Sequence, residues 1–202
     1  MDRLTLYGSF TSSSSYKPML YLVLVRLPFS FRTVNLKTGV QKSPEYLAVN
    51  RWGVVPSLRH RGLTILQSNV ILDYLARETG HFEGRTEQQR WQAREWLSWE
   101  ADHITYVAKV RHSARFRASH PETIAEFRPR AEAALSFINK TVQNQYKISD
   151  CSSAIIARSR ILVAGAAWSS CPKAGSTLPT GPILKLGPDA SRRCQASRCP
   201  TI

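Results

Sequence analysis

Two short polar stretches of this chain combine residue types and spacing that suit chemistry. The first, "SNVILDYLARETG", opens an amphipathic helix: Val70, Ile71, Tyr74 and Leu75 share a face, Ser68 is placed as the N-cap, and Gly80 stops it. A serine hydroxyl beside the unpaired N–H groups of a helix start, at the positive end of the helix dipole, forms an anion site. Ser68 would cap the helix whether or not an anion binds. The second stretch, "SFTSSSSYK", is a serine-rich turn ahead of an apolar run. Metal chemistry is not expected. The four cysteines, Cys151, Cys171, Cys194 and Cys199, have no CxxC spacing and no accompanying histidine ligand.

The elements that must position these residues are readable in order. "RLTLYG" alternates and is rich in β-formers, so it predicts a strand ending at Gly8. "YKPMLYLVLVRL" is apolar nearly all round and predicts a buried helix ended by Pro28, with Pro18 tolerated near its first turn. "FSFRTVNL" predicts a second strand, and Pro44 in "KSPEYL" sits where a short helix begins. "VVPSLRHRGLTILQS" predicts a hairpin turning at "HRG". Pro56 cannot donate to a sheet ladder, so it belongs at a strand's first residue or a bend, or simply ends a loop. From Thr86 onward two long helical patterns follow, the first carrying Trp91, Trp96, Trp99, Ile104 and Val107 at helical spacing. The order β-α-β, β-β-α, then helices only, implies an α+β chain: a small mixed domain joined to an all-helical one.

That order, with "SSSSYK", "VVPSL" and "QSN" in sequence, resembles the cytosolic glutathione transferase family over residues 4–145. The resemblance implies a thioredoxin-like domain over 1–82 and an all-helical domain over 86–146. It implies an enzyme that joins the sulfur of glutathione, its co-substrate, to an electrophilic small molecule, as a homodimer. Pro56 would be cis, which only an X-Pro bond allows cheaply, and Val55 would offer its backbone N–H and C=O to the cysteinyl part of glutathione. Gln67 and Ser68 would hold the γ-glutamyl carboxylate, and Lys42 would approach the glycyl carboxylate or be a solvated lysine. Ser12 would donate its hydroxyl to the glutathione sulfur and lower the thiol pKa from near 8.5. Ser13, Tyr7 and a turn with no catalytic role are the alternatives at that step. His103, Tyr106 and Arg111 would line the electrophile pocket, against the reading of packing and solvated face. The other functional readings are a non-catalytic binding module and an inactive product.

The charge balance, 28 Lys and Arg against 14 Asp and Glu, would ordinarily suggest nucleic acid or a lipid surface. Part of the excess belongs to the chain's last quarter, where Lys147, Arg158, Arg160, Lys173, Lys185, Arg192, Arg193 and Arg198 face only Asp150 and Asp189. That segment lacks the aromatic interleaving of a single-strand binder, so no nucleic-acid partner is expected. With no signal-peptide pattern and no run of ~20 apolar residues, no membrane partner is expected, and the protein is placed in the cytoplasm.

The last quarter also breaks the family pattern. A buried helix with an S/T-x-x-D capping box and an "LPGF"-like close are missing. Reading the same nucleotides one frame over permits "LFVGDHRSFAD" from Asp150 to Ile161 and "ADWPNIEAWAGRIEALPGFQMPYD" from Leu178 to Ile202. The expectation is a frameshift between about Gln143 and Asp150, in the gene or its sequencing, leaving 147–202 an aberrant tail. Sequencing of the locus decides the frame.

Overall fold

The computed structural model describes residues 4–116 and 121–146; the expected frameshift segment, 147–202, lies outside them. Strands β1 (Thr5–Gly8), β2 (Ser30–Thr33), β3 (Ser57–His60) and β4 (Leu63–Leu66) form one sheet in the order β2-β1-β3-β4. β1 and β2 are parallel, and the β1–β3 and β3–β4 pairs are antiparallel. The parallel pair is bridged by helix α1 (Ser13–Leu24) and the hairpin is followed by α3 (Ser68–Thr79). This is the thioredoxin-like arrangement that the resemblance implied. The hairpin turns through Arg61 and Gly62, both at positive φ (49° and 74°), as a primed two-residue turn requires.

Alternation along the strands sends Leu4, Leu6 and Leu58 to one face, where Tyr21 and Leu22 of α1 and Ile71, Leu72 and Leu75 of α3 close the core. The opposite face carries Tyr7 and Ser57, the latter hydrogen-bonded to Tyr46 of the short helix α2 (Pro44–Leu47). Pro44 opens α2 as expected, with Ser43 capping it through the Tyr46 N–H (3.4 Å).

Two sequence expectations need correction. Helix α1 begins inside the serine run, at Ser13, so Pro18 is the sixth helical residue rather than part of the first turn. Its ring is fully buried, and burial offsets the lost backbone bond. The N-cap of α3 is Gln67, not Ser68: Gln67 adopts φ 69°, ψ 123° and its carbonyl accepts the Ile71 N–H (2.9 Å), which makes Ser68 the first helical residue. Gly80, at φ 67°, ends α3 as expected.

Tyr21 ties α1 to the end of α3. Its hydroxyl lies 2.6 Å from the Thr79 hydroxyl and donates to the His81 carbonyl at 2.8 Å. Burial pushes the phenol pKa up to about 12. A folded-state pKa above the ordinary value of about 10 stabilises the fold below pH ~10, and that stability is lost as pH rises toward ~12. The stability gap between wild type and Tyr21→Phe is therefore expected to shift by about 2–3 kcal/mol between pH ~9 and ~12, read from urea midpoints.

Helices α4 (Glu87–Phe116) and α5 (Pro121–Tyr146) follow. A capping box starts α4: Gln89 N–H donates to the Thr86 hydroxyl (3.2 Å) and the Thr86 N–H to the Gln89 side chain (3.4 Å). Trp99 meets Phe137 (5.1 Å) and Tyr106 meets Phe127 (5.8 Å), so the two helices run antiparallel. Ile104, Val107, Ala131, Ala134 and Ile138 form their shared core.

Candidate functional site

The serine turn is built around Ser12. Its backbone N–H bonds the Ser9 carbonyl (3.1 Å), and its hydroxyl oxygen accepts the Ser15 N–H (3.2 Å), capping α1. Accepting that bond leaves the hydroxyl hydrogen available to donate outward. Ser15 is fully buried, and its side chain accepts the Ser9 N–H at 3.1 Å, which fixes the turn from beneath. Of the four serines, Ser12 and Ser13 reach a cavity of about 930 Å³, and the preceding Thr11 extends its rim.

The far wall of that cavity is one stripe of α4: Thr105, Ala108, Lys109 and His112, at positions i, i+3, i+4 and i+7. Arg111 joins them and donates to the Thr11 carbonyl (3.3 Å), so α4 is stitched to the serine turn. Leu36 and Lys37, after β2, close one side; Thr123 and Phe127 of α5 close another. Of the three residues expected in an electrophile pocket, the structure brings only Arg111 to this wall. His103 stacks on Trp99 (4.6 Å, 9°), and Tyr106 packs on Phe127. Helical spacing marked Trp96, Trp99, Ile104 and Val107 on α4, but nothing in it singled out Thr105, Lys109 or His112. Tyr7 is also elsewhere, on the sheet face against Tyr46 (6.3 Å) and Arg59.

A second group lies just ahead of the inner strand β3 and at the start of α3. The Val55–Pro56 peptide is cis, as the resemblance implied, with Pro56 buried and Val55 half-buried. Ser68 is 9% exposed. As the first residue of α3 it has neighbours whose N–H groups have no intrahelical acceptor, and Gln67 precedes it at positive φ, exposed. Lys42 donates to the Trp52 carbonyl (3.3 Å) and lies over Gly53. At φ 58°, Gly53 permits this approach: a Cβ there would sit 2.7 Å from the Gln41 carbonyl oxygen and 2.9 Å from the Lys42 chain. The Gln41 side-chain oxygen beside it is buried with no hydrogen-bond partner among the described residues.

Both helix starts are anchored to α4 by residues that no local pattern singled out. Lys17 of α1 pairs with Glu100 of α4 at 2.7 Å, both nearly fully buried, and also donates to Asn69 of α3 at 2.6 Å. Asn69 in turn donates to Glu100 (2.9 Å) and to the Leu97 carbonyl (2.7 Å). Burial holds the Lys17 ammonium below its ordinary pKa, opposed by the charge and hydrogen bond of Glu100. Among the described residues no group of His, Cys, Asp and Glu is placed to hold a metal ion.

Comparison with known proteins shows what this geometry is similar to. Residues 2–77 match the domain family described as "Glutathione S-transferase, N-terminal domain". The chain is 36% identical over 104 residues to glutathione S-transferase F10 of Arabidopsis thaliana, covering 48% of this chain and 47% of that protein. Its fold is similar to a glutathione S-transferase from Pseudomonas fluorescens, with TM-score 0.69, 25% identity, and 83% and 85% of the two chains covered. It is also similar to the transferase URE2P6 of Phanerochaete chrysosporium in complex with oxidized glutathione, with TM-score 0.71, 21% identity, and 85% and 83% covered. The chain spans about half the length of the curated relatives it matches.

Proposed function

We propose that this chain, whose residues 2–77 match the glutathione S-transferase N-terminal domain, is a cytosolic glutathione transferase that conjugates the glutathione thiolate to an electrophilic small molecule. The tripeptide lies across the end of the sheet beside the cis Val55–Pro56 bond, pairing its cysteinyl backbone with Val55. Its γ-glutamyl carboxylate meets Gln67, Ser68 and the N–H groups at the start of α3. The glycyl carboxylate approaches Lys42.

The observation that carries this reading is the position of Ser12. Its hydroxyl caps α1 by accepting a bond, keeps its hydrogen for an outside acceptor, and opens on the cavity. A sulfur placed there gains a hydrogen-bond donor and the positive end of α1, both of which favour thiolate over thiol. The thiol proton leaves to solvent, the sulfur lone pair forms a C–S bond, and the leaving group departs with its electron pair. Ser13, also at the cavity, is the alternative donor.

Homodimer assembly and a cytoplasmic location belong to the same proposal. Exposed Leu63 on β4, Val70 on α3 and Trp91 on α4 support an apolar contact with a second copy. No helix among the described residues is long and apolar enough to cross a membrane.

The protein is expected to be retained on immobilised glutathione and to turn over 1-chloro-2,4-dinitrobenzene only when glutathione is present. Retention without turnover would favour the non-catalytic binding module. Absence of both would overturn the proposal.

A further inference from the structure

Resting on the proposed transferase reading, the cavity's electrostatics narrow the substrate: we infer that the electrophile carries a carboxylate, held by Lys109 and Lys37, which line the same cavity as Ser12. Among the described residues, every ionisable side chain on the cavity wall is a lysine, an arginine or a histidine, and none is a carboxylate. The two lysines come from separate elements, Lys37 from the segment after β2 and Lys109 from α4, so their convergence is a product of the fold rather than of a local charge run. Neither forms an ion pair among the described residues.

Lys109 is placed by aromatic rings, not by an acid. Its ammonium lies 4.4 Å from the ring centre of Phe127 and 5.7 Å from that of Tyr106, an arrangement that holds a cation without neutralising it. Small-molecule sites are usually lined mostly by apolar side chains; here Leu36, Ala108 and Phe127 are a minority of the wall. Like charges gathered on one concave surface concentrate anions there, the more so at low salt. A neutral aromatic electrophile gains nothing from this, whereas a carboxylate on its far side is drawn to Lys109 while its reactive carbon faces the sulfur. Lysine, a point charge on a flexible stem, accepts a carboxylate without demanding one geometry.

The test separates this inference from the transferase reading by using ligands that cannot react. 3,5-Dinitrobenzoate and 3,5-dinitrobenzamide differ in charge but lack a leaving group, so their affinities are read by calorimetry without turnover. The acid is expected to bind about 5- to 10-fold tighter at low salt, with the preference shrinking as salt screens the lysines. Lys109→Gln and Lys37→Gln should each bring the ratio toward one, while Lys140→Gln, on an exposed part of α5, should keep it. The preference should persist with saturating S-methylglutathione; its disappearance would assign the lysines to the tripeptide's own carboxylates and overturn the inference. Equal affinity for acid and amide would overturn it as well. Failure of the transferase reading shows separately, as no glutathione-dependent turnover of 4-chloro-3,5-dinitrobenzoate or its amide.

Discussion

Replacing Ser12 by alanine is expected to lower glutathione-dependent kcat/KM by about 100-fold, on the scale of losing one preorganised donor to a developing anion. The same change removes the cap of α1, worth about 1 kcal/mol, so a stability loss accompanies it. Two further variants separate chemistry from folding. Ser12→Thr keeps both cap and hydroxyl and should retain most activity. Ser12→Asp keeps the cap but replaces a donor with an anion next to the sulfur; it should fold as well as wild type and lose activity at least as severely as alanine. Ser13→Ala removes a hydroxyl from the first helical position and should cost little. Equal losses at Ser12 and Ser13 would mean that the turn, rather than one hydroxyl, supports turnover.

Breaking the buried Lys17–Glu100 pair is expected to destabilise the fold by about 3–5 kcal/mol, a large share of the roughly 5–15 kcal/mol typical of a domain. Lys17→Met leaves the Glu100 carboxylate in an apolar setting with Asn69 as its remaining partner. Glu100→Met removes the charge that opposes desolvation of Lys17, so the lysine is pushed further toward its neutral form. The double replacement Lys17→Met with Glu100→Met should be more stable than either single variant, because no unpaired charge stays buried. Urea denaturation of the four proteins measures this coupling. A double variant whose loss equals the sum of the two single losses would show that the pair is not energetically linked. Because the pair and Asn69 hold the starts of α1 and α3 against α4, any single variant that folds should also bind glutathione more weakly.

How far the sequence reached depended on whether a feature is local. The strands, the primed turn at Arg61 and Gly62, the opening of α2 at Pro44 and the stop at Gly80 all follow from propensity and backbone geometry within a few residues. The start of α1 was placed too late because serines favour caps and turns over helix interiors, yet here Ser15 is buried and bonded to the turn it leaves. The N-cap of α3 moved to Gln67 because that residue holds a positive φ, a conformation composition does not foretell. Lys17 reads as a solvated lysine until its partner, 83 residues away, comes into view. The α4 wall was half legible: the helix was predicted, but His103 and Tyr106 turned out to face aromatic neighbours while Thr105, Lys109 and His112 face the cavity.

The central claim is that a thiol bound beside Ser12 loses its proton more readily than in water. The most direct measurement is the thiolate ultraviolet absorbance of glutathione bound to the protein, followed by difference spectroscopy as pH is raised. The account predicts titration well below the free thiol value of about 8.5 in wild type and a return toward it in Ser12→Ala. Bound glutathione that titrates like free glutathione in the wild-type protein would contradict it.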